Sequence, residues 1–274
     1  MSIVTFSRLG KMGRLGNCLF EIASTIGLAR ANKKDAYFPI WNYGVYFENG
    51  LPNLEQYHEK SLDYQGYKIV READFSYKHL DLSDRSFNYD LMGYFQSEKY
   101  FKDCKEEIRN TFSLLPVLRK IIHENNPILN HDDITLVSLH VRRGDYLDLE
   151  EYHTNLIKTD YYKKAVNFVK TLTNGTTKAK MFLLFSDDMY FTERWFKESF
   201  PNCNYIPINE KSDIKSLYVM SKCKYHIMAN SSFSWWGSWL SDHANKLVVT
   251  PAKWFGPKGP TKHDLYYPGT MLMP

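Results

Sequence analysis

No stretch of the 274-residue chain approaches the roughly 20 consecutive apolar residues that a membrane span requires. The start, MSIVTFSRLGKMG, lacks an apolar core of signal-peptide length. The expectation is a cytoplasmic protein, at most peripheral at the inner face of a membrane. Cysteine is scarce. Cys18, Cys104, Cys203 and Cys223 lie far apart, with no CxxC pair and no zinc-type His spacing, so neither a disulfide framework nor a structural metal is indicated. The GxSxG elbow, the HExxH helix and the P-loop are also missing, which weakens hydrolase readings. A Lys/Arg run is absent too: 35 basic and 31 acidic residues are scattered for a net charge of +4, which suits an anionic small ligand better than nucleic acid.

What the chain does contain is aromatic surface and alternating order. Aromatic residues make up 16%, with 20 Tyr and 6 Trp, and such rings stack well on bases and sugars. The length accommodates two domains, and the Pro, Asn and Asp of NNPILNHDD mark a boundary near residue 130. Ahead of it, IVTF reads as a strand leading through the Gly-bearing SRLGKMGRLGN into a helix with Leu19, Ile22, Ala23 and Ile26 on one face. The segment SEKYFKDCKEEIRNTF reads as one helix, capped by Ser97, with Phe101, Cys104, Ile108 and Phe112 inward. The Tyr-rich stretch 37–90 shows no clean periodicity and is expected to line an acceptor pocket. Beyond the boundary, strands at about 134–141, 181–185, 225–229 and 246–250 alternate with helices at about 159–172, 212–223 and 233–241. This alternation predicts a parallel sheet.

Each of these strands runs into a polar cluster: HVRRGDY, FSDD, ANSSFSWWGSW and TPAKWF. In open parallel sheets ligands bind beyond the carboxyl ends of the strands. His140, Arg142, Arg143 and Asp145 therefore read as an anion-binding catalytic loop, arginine being suited to bidentate capture of phosphate oxygens. Ser231 and Ser232 open a helix whose N-terminus offers a second anion cradle, or else one serine simply caps it. Trp235, Trp236 and Trp239 are core candidates, with Gly237 permitting close helix–sheet packing. Asp187 and Asp188 accept hydrogen bonds from a ligand's base or ribose, or cap the next helix. Glu150, Glu151, Asp148 and His153 offer further bases near the arginines. No D-x-D motif is present to hold a divalent metal on a pyrophosphate, which leaves that task to arginine.

Taken in order, GRLGN, GYFQSEKYF, HVRRGDY, FSDD and NSSFSWWGSWL resemble the motifs of the α-1,2-fucosyltransferases of glycosyltransferase family 11, over about residues 13 to 255. Cys18 stands where that family usually has Gln. The resemblance implies an α/β fold of GT-B type with two facing Rossmann-like domains, residues 1–130 on the acceptor side and 131–274 binding the GDP-sugar. It implies inverting transfer of L-fucose from GDP-fucose to the 2-OH of a terminal β-galactoside, with no metal and no cofactor beyond the donor. The donor contacts it implies are Arg14, Asn17, His140, Arg142, Arg143, Asp187, Asp188, Ser231, Ser232 and Phe233. Arg142 would stabilise the departing diphosphate, and Asp145, with Glu150 second, would take the acceptor's proton. The alternatives are the same fold using another nucleotide deoxysugar, and an inactive glycan- or nucleotide-binding module.

Overall fold

The computed structural model describes residues 2–60, 66–172 and 178–274, so part of the Tyr-rich stretch, 61–65, lies outside the described residues. The chain divides into two compact units, Met1–Arg119 with Lys262–Tyr267, and Lys120–Thr261 with Pro268–Pro274. The sequence puts its boundary near residue 130. The units instead part inside a helix, and a short return of the tail belongs with the first.

The first unit holds a four-stranded parallel sheet in the order β2-β1-β4-β3, built from β1 (Ile3–Thr5), β2 (Asp35–Tyr37), β3 (Tyr67–Arg71) and β4 (Asn88–Met92). Helix α1 (Leu15–Ala31) is buried on nearly every side, not on the single face its spacing suggests. It packs on β1 and β2 and also against the turns after β4. Gly27 makes the second contact close, since a Cβ there would lie 2.2 Å from the Tyr100 carbonyl oxygen. A short helix, α2 (Leu54–Lys60), precedes β3.

The single helix expected from Ser97 to Phe112 is broken. It consists of 3-10 turns at Glu98–Tyr100 and Lys102–Cys104, followed by α3 (Lys105–Thr111). Phe101 and Cys104 leave helical geometry, with φ −133° and −129°, and this bends the chain around α1. Ser97 does cap the first turn, accepting the Lys99 N–H at 3.4 Å. Phe101, Ile108 and Phe112 are buried as expected, whereas Cys104 is only half-buried.

After α4 (Pro116–Asn125) the second unit forms one six-stranded parallel sheet, β10-β9-β8-β5-β6-β7. Its strands are β5 (Ile134–Val141), β6 (Ala179–Ser186), β7 (Tyr205–Pro207), β8 (Tyr225–Ile227), β9 (Leu247–Pro251) and β10 (Thr270–Met273). Between them run α5 (Tyr161–Thr171), α6 (Met189–Ser199), α7 (Asp213–Ser221) and α8 (Ser232–Trp239). The four expected strands and three expected helices are all present, and β7, β10 and α6 join them. Strands β5, β6 and β8 form the middle of a core in which Val137, Leu139, Phe182, Leu184 and Ile227 pack against Ala165, Val166 and Val169 of α5. Each large side chain so buried contributes about 1.5–3 kcal/mol. Trp235, Trp236 and Trp239 are core, but Gly237 serves a helix–helix contact: a Cβ there would fall 2.2 Å from Met220 Sδ on α7.

From β5 the chain winds outward through β6 and β7, then crosses back to β8 and winds the other way. This is the doubly wound Rossmann order, and its switch point lies between β5 and β8. All four cysteines are free thiols. Among the described residues no helix is long and apolar enough to cross a membrane.

Candidate active site

The register of β5 on β6 pairs Val141 with Ser186, so the residues that follow each strand emerge side by side. Arg142 is thereby brought to Asp187, with Nη1 2.6 Å from Oδ2, and its Nη2 also pairs with Asp145. The Arg142 side chain is only 11% exposed, so the carboxylates compensate a largely desolvated charge. Asp187 Oδ1 accepts the Arg143 backbone N–H at 2.9 Å. Gly144 lies so close that a Cβ would come within 2.4 Å of Asp187 Oδ2. Arg143 Nε donates to Asp188 Oδ2 at 3.1 Å, and its guanidinium lies 3.4 Å from the Phe191 ring centroid. Asp188 Oδ1 accepts the Phe191 N–H at 3.1 Å and so caps α6. Of the two readings of this pair, capping thus falls to Asp188, and Asp187 is the arginine loop's anchor.

A second layer supports Arg142. Its guanidinium sits 5.2 Å from the Tyr146 ring centroid, and Tyr146 stacks on His153 with centroids 3.8 Å apart and planes 3° from parallel. Tyr146 Oη donates to the Asn230 carbonyl at 3.0 Å. Asn230, itself buried, donates from Nδ2 to the carbonyls of Thr154 and Trp254 at 3.0 and 2.8 Å. Three loops therefore meet at one asparagine, immediately before the serine turn. Tyr146 and Asn230 were not singled out from the sequence. Both lie inside the HVRRGDY and ANSS clusters, but nothing local marks them as partners.

Ser231 is the N-cap of α8, its Oγ accepting the Phe233 N–H at 3.3 Å, and Ser232 is the first helical residue. His140 is buried, with its ring 5.5 Å from that of Phe233 and its Nδ1 without a hydrogen-bond partner among the described residues. Burial, reinforced by Arg142, pushes its pKa down to about 3. His153 is lowered to about 4, again chiefly by burial, with Asp145 opposing. Both imidazoles are therefore neutral near pH 7. Glu150 is engaged apart from the arginines: Lys158 Nζ lies 2.6 Å from one oxygen, Asn155 Nδ2 donates to the other at 2.7 Å, and both hold its carboxyl below the usual range.

Arg14 and Asn17 belong to the first unit. Arg14 is the exposed N-cap residue of α1, and Asn17 Oδ1 accepts from Gln96 Nε2 at 2.8 Å. Cys18 is buried, and burial followed by the nearby Glu21 raises its thiol to about 11. It stays protonated and acts as a small apolar side chain.

Two Rossmann-like units, one carrying an arginine–aspartate cluster and a serine-capped helix at its switch point, are the architecture of the GT-B glycosyltransferases. The chain belongs to glycosyl transferase family 11, whose family model matches residues 11–266. It is 33% identical over 162 residues to the O-antigen biosynthesis glycosyltransferase WbnK of Escherichia coli, covering 57% of this chain and 49% of that protein. It is 31% identical over 175 residues to an α-1,2-colitosyltransferase of Escherichia coli, covering 61% of this chain and 56% of that protein. The chain thus spans about half the length of these relatives. The fold is shared with NodZ, a fucosyltransferase from Bradyrhizobium. The NodZ structure soaked with GDP-fucose matches with a TM-score of 0.53 at 15% identity, covering 90% of this chain and 97% of that one.

Proposed function

We propose that the chain transfers L-fucose from GDP-fucose to the 2-hydroxyl of a terminal β-galactoside, with inversion and without a metal ion. The observation that carries this reading is Arg142, held between Asp145 and Asp187 at the switch point of a parallel sheet while only 11% exposed. The acceptor oxygen attacks fucose C1, the bond from C1 to the β-phosphate oxygen breaks, and GDP leaves with added negative charge. A guanidinium near that oxygen is more complementary to the transition state than to the ground state, which is the condition for raising the rate.

Asp145 is the more exposed of the two carboxylates, 47% against 22%. The incoming diphosphate displaces it from Arg142 while Asp187 keeps its grip. The released Asp145 then takes the acceptor's proton. Glu150, held by Lys158 and Asn155, is the second candidate for that role. Arg143, His140, Ser231, Ser232 and Phe233 complete the donor contacts, with Asp188 fixing Arg143. Arg14 and Asn17 are assigned by the family resemblance to donor contact from the first unit, which takes the acceptor side.

The test is GDP release by the purified protein in EDTA, with GDP-fucose and lactose, N-acetyllactosamine or Galβ1-3GalNAc, beside Arg142→Ala. Acceptor-dependent release that vanishes in the variant supports the proposal, and release that needs added Mg²⁺ or persists in Arg142→Ala refutes it. A second reading, the same transfer with another nucleotide deoxysugar, is favoured by the 31%-identical relative named as a colitosyltransferase. A higher kcat/KM with GDP-linked colitose than with GDP-fucose would select it.

A further inference from the structure

Within the second unit, the loop after β5 and the segment after β9 run antiparallel to one another. His153 bridges Phe255, the Gly256 N–H donates to the Tyr152 carbonyl at 2.8 Å, and the Lys258 N–H donates to the Glu151 carbonyl at 2.7 Å. Thr154 Oγ1 donates to the Phe255 carbonyl at 2.8 Å. Gly256 lets the two segments approach closely, since a Cβ there would fall 2.6 Å from the carbonyl oxygens of both Glu150 and Glu151. The segments thus form one short ribbon, and His153 within it carries the Tyr146 ring that backs Arg142.

Asn230 stands at the root of this ribbon. It is 2% exposed, directly precedes the N-cap Ser231, and its Nδ2 donates once to each segment, to the carbonyls of Thr154 and Trp254 at 3.0 and 2.8 Å. Its main-chain carbonyl accepts the Tyr146 hydroxyl at 3.0 Å. A carboxamide nitrogen has two protons, and both are engaged here by backbone carbonyls of other loops. Helix α8 does not need them, because Ser231 caps it with its own hydroxyl. The Asn230 side chain therefore joins the serine turn to the two segments that frame the arginine loop.

We propose that Asn230 is a positioning residue for the transfer: its amide fixes the serine turn against the arginine loop, so that the N-terminus of α8 and Arg142 face one diphosphate at a set spacing. The inference rests on the proposed function in taking both loops to hold the donor's diphosphate. Misplacing such groups by about 1 Å lowers a rate by up to about 100-fold.

The test compares wild type with Asn230→Ala, Asn230→Asp and Gly256→Ala, each assayed well below its melting temperature so that turnover is counted per folded molecule. Asn230→Ala should lower kcat tenfold or more while the KM for the acceptor stays within about threefold. Asn230→Asp turns a group that only accepts toward two carbonyls, and protonation returns one donor. Its kcat relative to wild type should therefore rise as pH falls. Gly256→Ala loosens the ribbon without touching Asn230, should lower kcat in the same direction, and serves where Asn230→Ala does not fold. Combined with Tyr146→Phe, Asn230→Ala should cost less than the two losses added, since both cut the same tie. Amide hydrogen exchange over residues 144–154 should quicken in Asn230→Ala and Gly256→Ala but not over β6. Wild-type kcat per folded molecule, a pH-independent ratio for Asn230→Asp, additive losses or unchanged exchange would each overturn the inference. Exchange needs no turnover, so it decides the tie even where wild type proves inactive with GDP-fucose, a result that overturns the proposed function.

Discussion

Asp187 holds the arginine loop twice, with Oδ2 2.6 Å from Arg142 Nη1 and Oδ1 accepting the Arg143 backbone N–H at 2.9 Å. One carboxylate thus sets both the direction of the guanidinium and the path of the chain that carries it. Preorganisation of this kind is what electrostatic stabilisation of a leaving group requires.

Asp187→Asn keeps the shape but removes the charge that fixes Arg142. GDP release should fall 10- to 100-fold in kcat/KM, about 1.4–2.8 kcal/mol of barrier. Asp145 still pairs with Arg142, so the melting temperature should drop by only a few degrees. Gly144→Ala should act in the same direction, since its methyl would lie 2.4 Å from Asp187 Oδ2. Wild-type turnover in both variants would show that the carboxylate is dispensable.

Tyr146 links the arginine loop to the serine turn through Asn230. Tyr146→Phe keeps the stack on His153 and removes one hydrogen bond, a loss of about 1 kcal/mol in denaturant unfolding. Tyr146→Leu loses the ring as well and should reduce kcat/KM further than Tyr146→Phe does. Equal activity in the two variants would mean that the ring does not support Arg142.

Glu21 on α1 is fully buried, and burial, opposed by the Gly10 backbone N–H, raises its pKa to about 8. Below pH 4.5, the ordinary value, both folded and unfolded chains carry the proton. Between there and pH 8 the unfolded chain has released it and the folded one has not, so stability falls as pH rises. Glu21→Gln removes this dependence. In urea titrations the variant should gain on wild type by a few kcal/mol between pH 5 and pH 8, and a constant difference would contradict the assignment.

Lys246 Nζ donates to the carbonyls of Ser238, Trp239 and Ser241 at 2.7, 3.2 and 2.8 Å, closing the C-terminal end of α8. Carbonyls at a helix end need such partners, and a cation there also suits the helix dipole. Lys246→Met should lower stability by about 2–4 kcal/mol, read as a lower denaturant midpoint. An unchanged midpoint would mean that solvent replaces the ammonium.

The strands of the second unit were legible because centrally buried parallel strands read as unbroken apolar runs, as ITLVSLHV and MFLLF do. Strand β7, three half-buried residues at one sheet edge, and β10, half exposed at the other, carry no such run. The helix expected from Ser97 to Phe112 has the right inward residues but the wrong continuity. Its breaks at Phe101 and Cys104 follow from packing around α1, which local spacing does not record.

By itself the sequence determined the alternation of strand and helix, the family, and which polar clusters end which strands, because periodicity and motif are properties of neighbouring residues. Whether Asp187 caps a helix or holds an arginine was decided only by tertiary structure. The register that sets Val141 beside Ser186 places Arg142 next to Asp187, 45 positions further along the chain. The same holds for Gln96 and Asn17, 79 positions apart. A side chain's hydrogen-bond partner depends on how strands pair and turns fold back, and those are set by burial summed over each unit, not by the residues on either side.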